Sequence, residues 1–410
     1  MRNAAITLKN WFLSFNHLKD GLRSKVSRSP TDRVMLALVS GMVLFGLIMV
    51  FSASFIYAQE KTGDGFALIR KQLIFATFGF VTLITVSHID YRQWARWAYP
   101  VLGIAIVLLV LVFFPGIGMK AGGAKRWLNL GGIHFQPGEF AKFAVIFFVA
   151  RQLDRKYERI DTVTAGILSN ILVPLPAFLL LLLQPDFGST VIIASVIFAL
   201  MFLAGVPKRY LVAAFVSAAT IGAWLALGTS YRRARLSAFL DPWKDPGGTG
   251  FQILQSLIGL HNGRIWGVGL GNSKEKLFYL PEAHNDFIFA VIGEELGFVG
   301  IAVVSFAYLY FIYRGFKIAW HCQKIGRDRF GMLLAAGITL VLGLQSFVNI
   351  AVVMGLLPTK GLTLPFISYG GSALLIDLFA IGVLLSVARG APQSLHKPQP
   401  LNALNAPKPI

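Results

Sequence analysis

The stretch "DFIFAVIGEELGFVGIAVVSFAYLYFIY", residues 286–313, decides the fold. Its apolar run exceeds the roughly 20 residues that carry a helix across ~30 Å of hydrocarbon, yet it opens on Asp286 and holds Glu294 and Glu295. A charge at a helix centre costs ~2.5–3.5 kcal/mol on insertion scales, so each of these acids needs a partner or a task.

Nine further apolar runs accompany it, near residues 34–55, 72–87, 97–114, 139–153, 165–183, 190–205, 211–226, 332–354 and 372–388. With 55% hydrophobic and 14% charged residues and a mean hydropathy of +0.65, the chain lies far from the balance of a soluble domain. Backbone polar groups in lipid must be satisfied within the segment, and these runs are too long and uniform for barrel strands. The predicted fold is therefore an all-α integral membrane protein with ten transmembrane helices. A basic tail (1–33) precedes the membrane domain (34–389), and a Pro-rich flexible tail (390–410) follows it. In the first tail Trp11, Phe12, Phe15, Leu18 and Leu22 have roughly helical spacing among lysines. That pattern suits an anionic membrane surface, and equally a disordered basic tail. No cleavable signal is read, so the first span is expected to direct insertion. The single Cys322 and the lack of a Cys/His cluster argue against redox chemistry and structural zinc.

Ten spans put both termini on one side, and a cytoplasmic N-terminus places 23 of the 38 Lys and Arg inside, as the positive-inside rule asks. The large extracytoplasmic loop between helices 7 and 8, residues 228–285, resists the trend. It carries Arg232, Arg233, Arg235, Lys244, Arg264, Lys274 and Lys276. They form either a solvated basic face or a set of ligands for lipid phosphates. Lys120, Lys125 and Arg126, beside Trp127, extend the second reading to the outer loop between helices 3 and 4. No internal repeat supports an inverted-repeat transporter.

Among the acids, Asp286 stands at the outer mouth of helix 8. Helical geometry sets Ala290, Gly293 and Gly297 beneath it on one face, for close packing or for a cavity. Burial would raise its pKa toward that of a useful base, and nearby cations would lower it. Glu282 precedes the span and reads as a capping or solvated residue. Glu294 and Glu295, deeper and turned away, read as bundle contacts, as does Asp377 in helix 10. Glu139 and Lys142 are spaced to pair on one helix face. Asp186 in "QPDFG" suits a turn as well as catalysis. The stretch "GLLPTKGLTLPFISYGGS", residues 355–372, is too rich in Pro and Gly for a continuous helix, and such backbone at membrane level must be covered by protein or line a cavity. Lys360 within it is a further phosphate candidate.

Together with "GAKRWLNLGGIHFQPGEFAK", "QPDFGS", "DPWKDPGGTGFQILQS" and "GLGNSKEKLFYLPEAHNDFIFAVIGEELGFVG", that loop resembles the SEDS family of bacterial cell-wall polymerases, in order from residue 33 to 389 and nearer its division branch than its elongation branch. The resemblance implies a peptidoglycan glycosyltransferase in the inner membrane at the septum. It would join lipid II disaccharides into β-1,4-linked glycan on the outer face and release undecaprenyl diphosphate. It implies Asp286 as general base, with Arg126, Glu139, Lys142, Asp186, Arg232, Arg233 and Lys360 as substrate-binding residues. Its implied partners are a class B penicillin-binding protein of the FtsI type and the FtsQ, FtsL and FtsB division proteins. A divalent cation, Mg or Mn, would be compatible, with no ligand set assigned. Gly138, Asn285 and Asp377 depart from commoner family forms, and Asn285 could alter the hydrogen bonding of Asp286. A lipid II flippase and a non-catalytic division scaffold remain as alternatives. Vesicle transport of labelled lipid II without polymer would favour the first, and full growth with an Asp286 mutant the second.

Overall fold

The computed structural model describes residues 32–390 except 122, 123, 132, 229 and 325, so the proposed surface helix of the first tail and the flexible end beyond 390 lie outside the described residues. Three helices come first: α1 (Arg33–Thr62), α2 (Ala67–His88) and α3 (Arg92–Leu111). Asp32 caps α1, accepting from the Met35 amide at 3.0 Å and pairing with Arg314 at 2.5 Å. Then come α4 (Pro137–Arg155), α5 (Thr164–Leu183), α6 (Phe187–Ala204) and α7 (Lys208–Leu227). Two shorter helices, α8 (Ser230–Leu240) and α9 (Phe251–Gly263), precede α10 (Ile288–Lys324), α11 (Arg329–Val353) and α12 (Gly371–Gly390).

Among the described residues, eight helices are long and apolar enough to cross a membrane: α1, α2, α3, α5, α6, α10, α11 and α12. The other two predicted runs fall in α4 and α7. α4 carries Glu139, Lys142, Arg151, Asp154 and Arg155, yet most of its residues are buried against α3, α6 and α11. A helix enclosed by protein has no need of an apolar surface toward lipid. The same division sorts the rest: 78% of the apolar core of α12 is buried and 22% of that of α3. Phe78, Phe215 and Trp224 point outward from α2 and α7, as lipid-facing side chains do.

The all-α expectation is corrected between α3 and α4. There β1 (Gly118–Ala121), β2 (Ala124–Leu130) and β3 (Ile133–Phe135) form an antiparallel meander in which Leu128 lies opposite both Gly118 and Phe135. The segment is too short to pass through lipid and must satisfy its own backbone groups, and a meander does so locally. Leu128 is fully buried beneath it.

The stripe of small residues under Asp286 packs helices, the first of the two sequence readings. A Cβ on Gly263 of α9 would lie 1.9 Å from the Gly293 carbonyl oxygen, so the two backbones touch. Nor is α10 one continuous helix. Gly297 sits at φ 66°, in the left-handed region, and the helical ladder breaks there. The freed groups are met by the incoming segment 264–269. Val268 and Gly269 donate to the Glu294 and Glu295 carbonyls at 2.9 and 3.0 Å, and Phe298 and Val299 donate to the Arg264 and Ile265 carbonyls at 2.8 and 3.2 Å. Irregular backbone at this depth survives because protein satisfies it.

Candidate functional site

Asp286 lies two residues before α10 begins. Its carbonyl oxygen accepts from Asn349 Nδ2 of α11 at 2.8 Å, which fixes the backbone. Its carboxylate accepts no hydrogen bond among the described residues and is half-buried. Burial pushes this carboxyl up to about 7, and the neighbouring Glu282 charge adds to the rise, while Arg126 and Arg235 pull it down. A carboxylate held in place, unbonded and near neutrality is suited to take a proton. His284, tilted against the Tyr57 ring with centroids 4.9 Å apart, is held below its usual pKa by burial. Asn285 turns its amide to Glu282 at 3.4 Å and leaves the Asp286 carboxylate unbonded.

The backbone facing Asp286 is the Pro/Gly-rich loop between α11 and α12. A Cβ on Gly361 would come within 3.1 Å of Asp286 Oδ2, so a residue without a side chain keeps the carboxylate open. Side chains from three helices brace this loop. Asn349 Nδ2 donates to the Leu362 carbonyl at 2.6 Å, Gln345 Nε2 to the Thr363 carbonyl at 3.0 Å and Gln72 Nε2 to the Ser368 carbonyl at 3.2 Å. Ser368 Oγ donates to the Asn285 carbonyl at 2.7 Å, and Tyr308 donates to the Pro365 carbonyl. The loop and the start of α10 thus form one hydrogen-bonded unit.

The predicted cations divide. Arg126, on β2, donates through Nε and Nη2 to the Gln184 and Pro185 carbonyls at 3.1 and 2.5 Å and straps the turn between α5 and α6 while its charge bears on Asp286. Lys360 sits over the Phe187 ring at 4.5 Å. Arg233 is exposed on α8, and the side chains of Arg232 and Lys120 lie outside the described ones. Arg235, one turn beyond Arg232 on α8, is a loop arginine whose charge bears on Asp286, and its Nη1 reaches the Thr359 carbonyl at 2.9 Å. Its spacing from Arg232 was a usable signal, since residues three apart share a helix face.

Glu139 and Lys142 pair as their spacing predicts, at 2.7 Å and almost wholly buried; Lys142 also donates to Gln345, the residue that braces the loop. Asp377 of α12, fully buried, shares their electrostatic neighbourhood, so the three form one interior polar cluster. Asp186 caps α6, accepting from the Ser189 amide at 3.2 Å and its hydroxyl at 2.8 Å. Glu294 accepts from the Lys274 amide at 3.0 Å and from Ser273, and Glu295 pairs with Lys276 at 2.7 Å and accepts from Ser52. Both anchor the 273–276 segment, as bundle contacts should. Among the described residues no three of His, Cys, Asp and Glu gather to hold a metal ion.

The chain matches the FtsW, RodA and SpoVE family, described as cell cycle protein, over residues 32–393. It is 45% identical to the probable peptidoglycan glycosyltransferase FtsW of Geobacter sulfurreducens, covering 88% of this chain and 96% of the relative. It is 38% identical to the stage V sporulation protein E of Bacillus subtilis, covering 88% and 98%. Among solved structures it is similar to a chain of a peptidoglycan synthase complex that coordinates polymerization and crosslinking (30% identity, TM-score 0.69, covering 89% of this chain and 99% of that one). It is also similar to the rod shape determining protein RodA of Thermus thermophilus (27% identity, TM-score 0.65, covering 89% and 98%). With a match that runs nearly end to end, the chain belongs to the FtsW/RodA/SpoVE family of cell cycle proteins.

Proposed function

We propose that this chain is a peptidoglycan glycosyltransferase of the division branch, polymerising lipid II. The observation that carries the reading is the Asp286 carboxylate: fixed through its backbone, free of hydrogen bonds among the described residues, and faced by two guanidinium groups. In the reaction the acceptor GlcNAc 4-hydroxyl oxygen attacks C1 of the donor MurNAc. The bond from C1 to the diphosphate oxygen breaks, undecaprenyl diphosphate leaves with the electron pair, and Asp286 takes the hydroxyl proton. Arg126 and Arg235, with Lys360 at the loop, supply positive charge where the diphosphate becomes a leaving group. Glu139, Lys142 and Asp186 act one layer back. The buried pair holds Gln345 and so the loop, and Asp186 holds the start of α6 beside the turn that Arg126 grips.

This reading puts ten helices across the inner membrane at the septum, α4 and α7 included, with both termini in the cytoplasm and residues 228–285 on the outer face. A class B penicillin-binding protein would cross-link the product, in a complex with FtsQ, FtsL and FtsB. A divalent cation, if one takes part, would be held largely by substrate phosphate, as Mg²⁺ commonly is. The test is polymerisation of lipid II by the purified chain with its partner. Asp286→Asn should lower the rate by about 10²–10⁴, the usual worth of a general base. Glycan made at the normal rate and length by that variant would remove Asp286 from the mechanism.

A further inference from the structure

At the end of the bundle opposite Asp286, the start of α3, the last turns of α4 and the turn between α10 and α11 line an open cavity of about 480 Å³. Five arginines line it, Arg92, Arg96, Arg151, Arg327 and Arg329, against two aspartates, Asp154 and Asp328. Both aspartates are already partnered, in part by arginines of the same lining. Asp328 Oδ1 caps α11 by accepting from the Gly331 amide at 2.9 Å, and its Oδ2 accepts from the buried Tyr91 hydroxyl, with Arg92 at 3.4 Å. Asp154 meets Arg151 at 3.5 Å. Arg329 lies over the Tyr157 ring at 3.0 Å. Arg96 and Arg327 have neither an ion pair nor a hydrogen bond among the described residues.

An excess of cytoplasmic arginine is ordinary, but ordinary topology does not require five guanidinium groups from three chain segments to meet around one cavity. Each guanidinium carries five N–H donors in a planar fork that matches phosphate oxygens. With the two carboxylates occupied, the cavity presents unmet donors and a surplus of three positive charges. Trp97, next to Arg96 in the chain, is exposed, and an aromatic side chain there suits the headgroup level of a bilayer. We propose that this cavity is an anion site that takes a phosphate-bearing group, separate from the site at Asp286. The phosphate comes either from an anionic lipid of the cytoplasmic leaflet or from a soluble phosphate compound.

The test uses the full chain, purified and placed in nanodiscs. One arm compares bilayers of phosphatidylcholine alone with bilayers containing phosphatidylglycerol, reading retained lipid by native mass spectrometry. The other titrates inorganic diphosphate and reads heat or thermal shift. The double variant R96A/R327A removes two guanidinium groups that hold nothing else in the fold. It should weaken binding at least tenfold in the arm that carries the ligand, while R96K/R327K keeps the charge and most of the binding. Loss of phosphatidylglycerol retention alone assigns a lipid headgroup, and loss of diphosphate binding alone assigns a soluble phosphate. Melting temperatures without ligand, taken on the same samples, separate lost binding from lost folding. Equal binding by wild type and folded R96A/R327A in both arms, or no binding by wild type in either, overturns the proposal.

Discussion

The pH dependence of polymerisation follows from the surroundings of one carboxylate. In the proposed mechanism Asp286 serves as a base only when ionised, and burial raises its carboxyl to about 7. About one tenth is then ionised at pH 6 and about nine tenths at pH 8, so kcat/KM should climb roughly tenfold between them, far above the range of an ordinary aspartate. Two substitutions move this limb in opposite directions. Glu282 is exposed and its charge opposes ionisation, so Glu282→Gln lowers the Asp286 pKa and raises the rate at pH 6 by roughly twofold, the ~0.4 kcal/mol of a solvent-screened pair. Arg126 favours ionisation, so Arg126→Ala moves the limb to higher pH. Because the proposed mechanism also sets Arg126 against the substrate diphosphate, the position of the limb is the quantity to read, and its height is not. The assay is the initial rate of lipid II polymerisation from about pH 5.5 to about pH 8.5, in detergent, with the partner enzyme present. A flat profile, or two variants shifting the same way, would refute the assignment of burial and charge around Asp286.

Removing one member of the interior pair should be costly. Lys142→Met leaves Glu139 buried and unpaired and should destabilise by ~3–5 kcal/mol, seen as a lowered melting temperature in detergent, and Glu139→Gln added to it should restore part of the loss. Gly263→Ala forces a methyl group onto the Gly293 carbonyl and should cost ~1–3 kcal/mol by the same measurement, with a normal melting curve counting against the close packing of α9 on α10. Ser368→Ala removes a hydroxyl that accepts from Leu364 and donates to the Asn285 carbonyl, at 2.8 and 2.7 Å; faster amide exchange in the loop and a lower kcat should appear together.

Composition and hydropathy alone determined that this chain is a helical membrane protein. Lipid cannot hydrogen-bond a backbone, so long apolar runs have one local solution whatever surrounds them. Spacing alone paired Glu139 with Lys142, since three residues make almost one helical turn and the contact is local. What the sequence could not determine depends on partners distant in the chain. The helix begun near Asp286 breaks at Gly297 because segment 264–269 is there to satisfy it, and the small residues beneath Asp286 pack against α9. Arg232, Arg233 and Arg235 are alike as letters, and only the packing of α8 against the loop brings Arg235 to Asp286. The Tyr91 hydroxyl and the Gly331 amide likewise claim Asp328 and leave arginines unmet around the inner cavity, a balance that exists only once α3, α10 and α11 have come together.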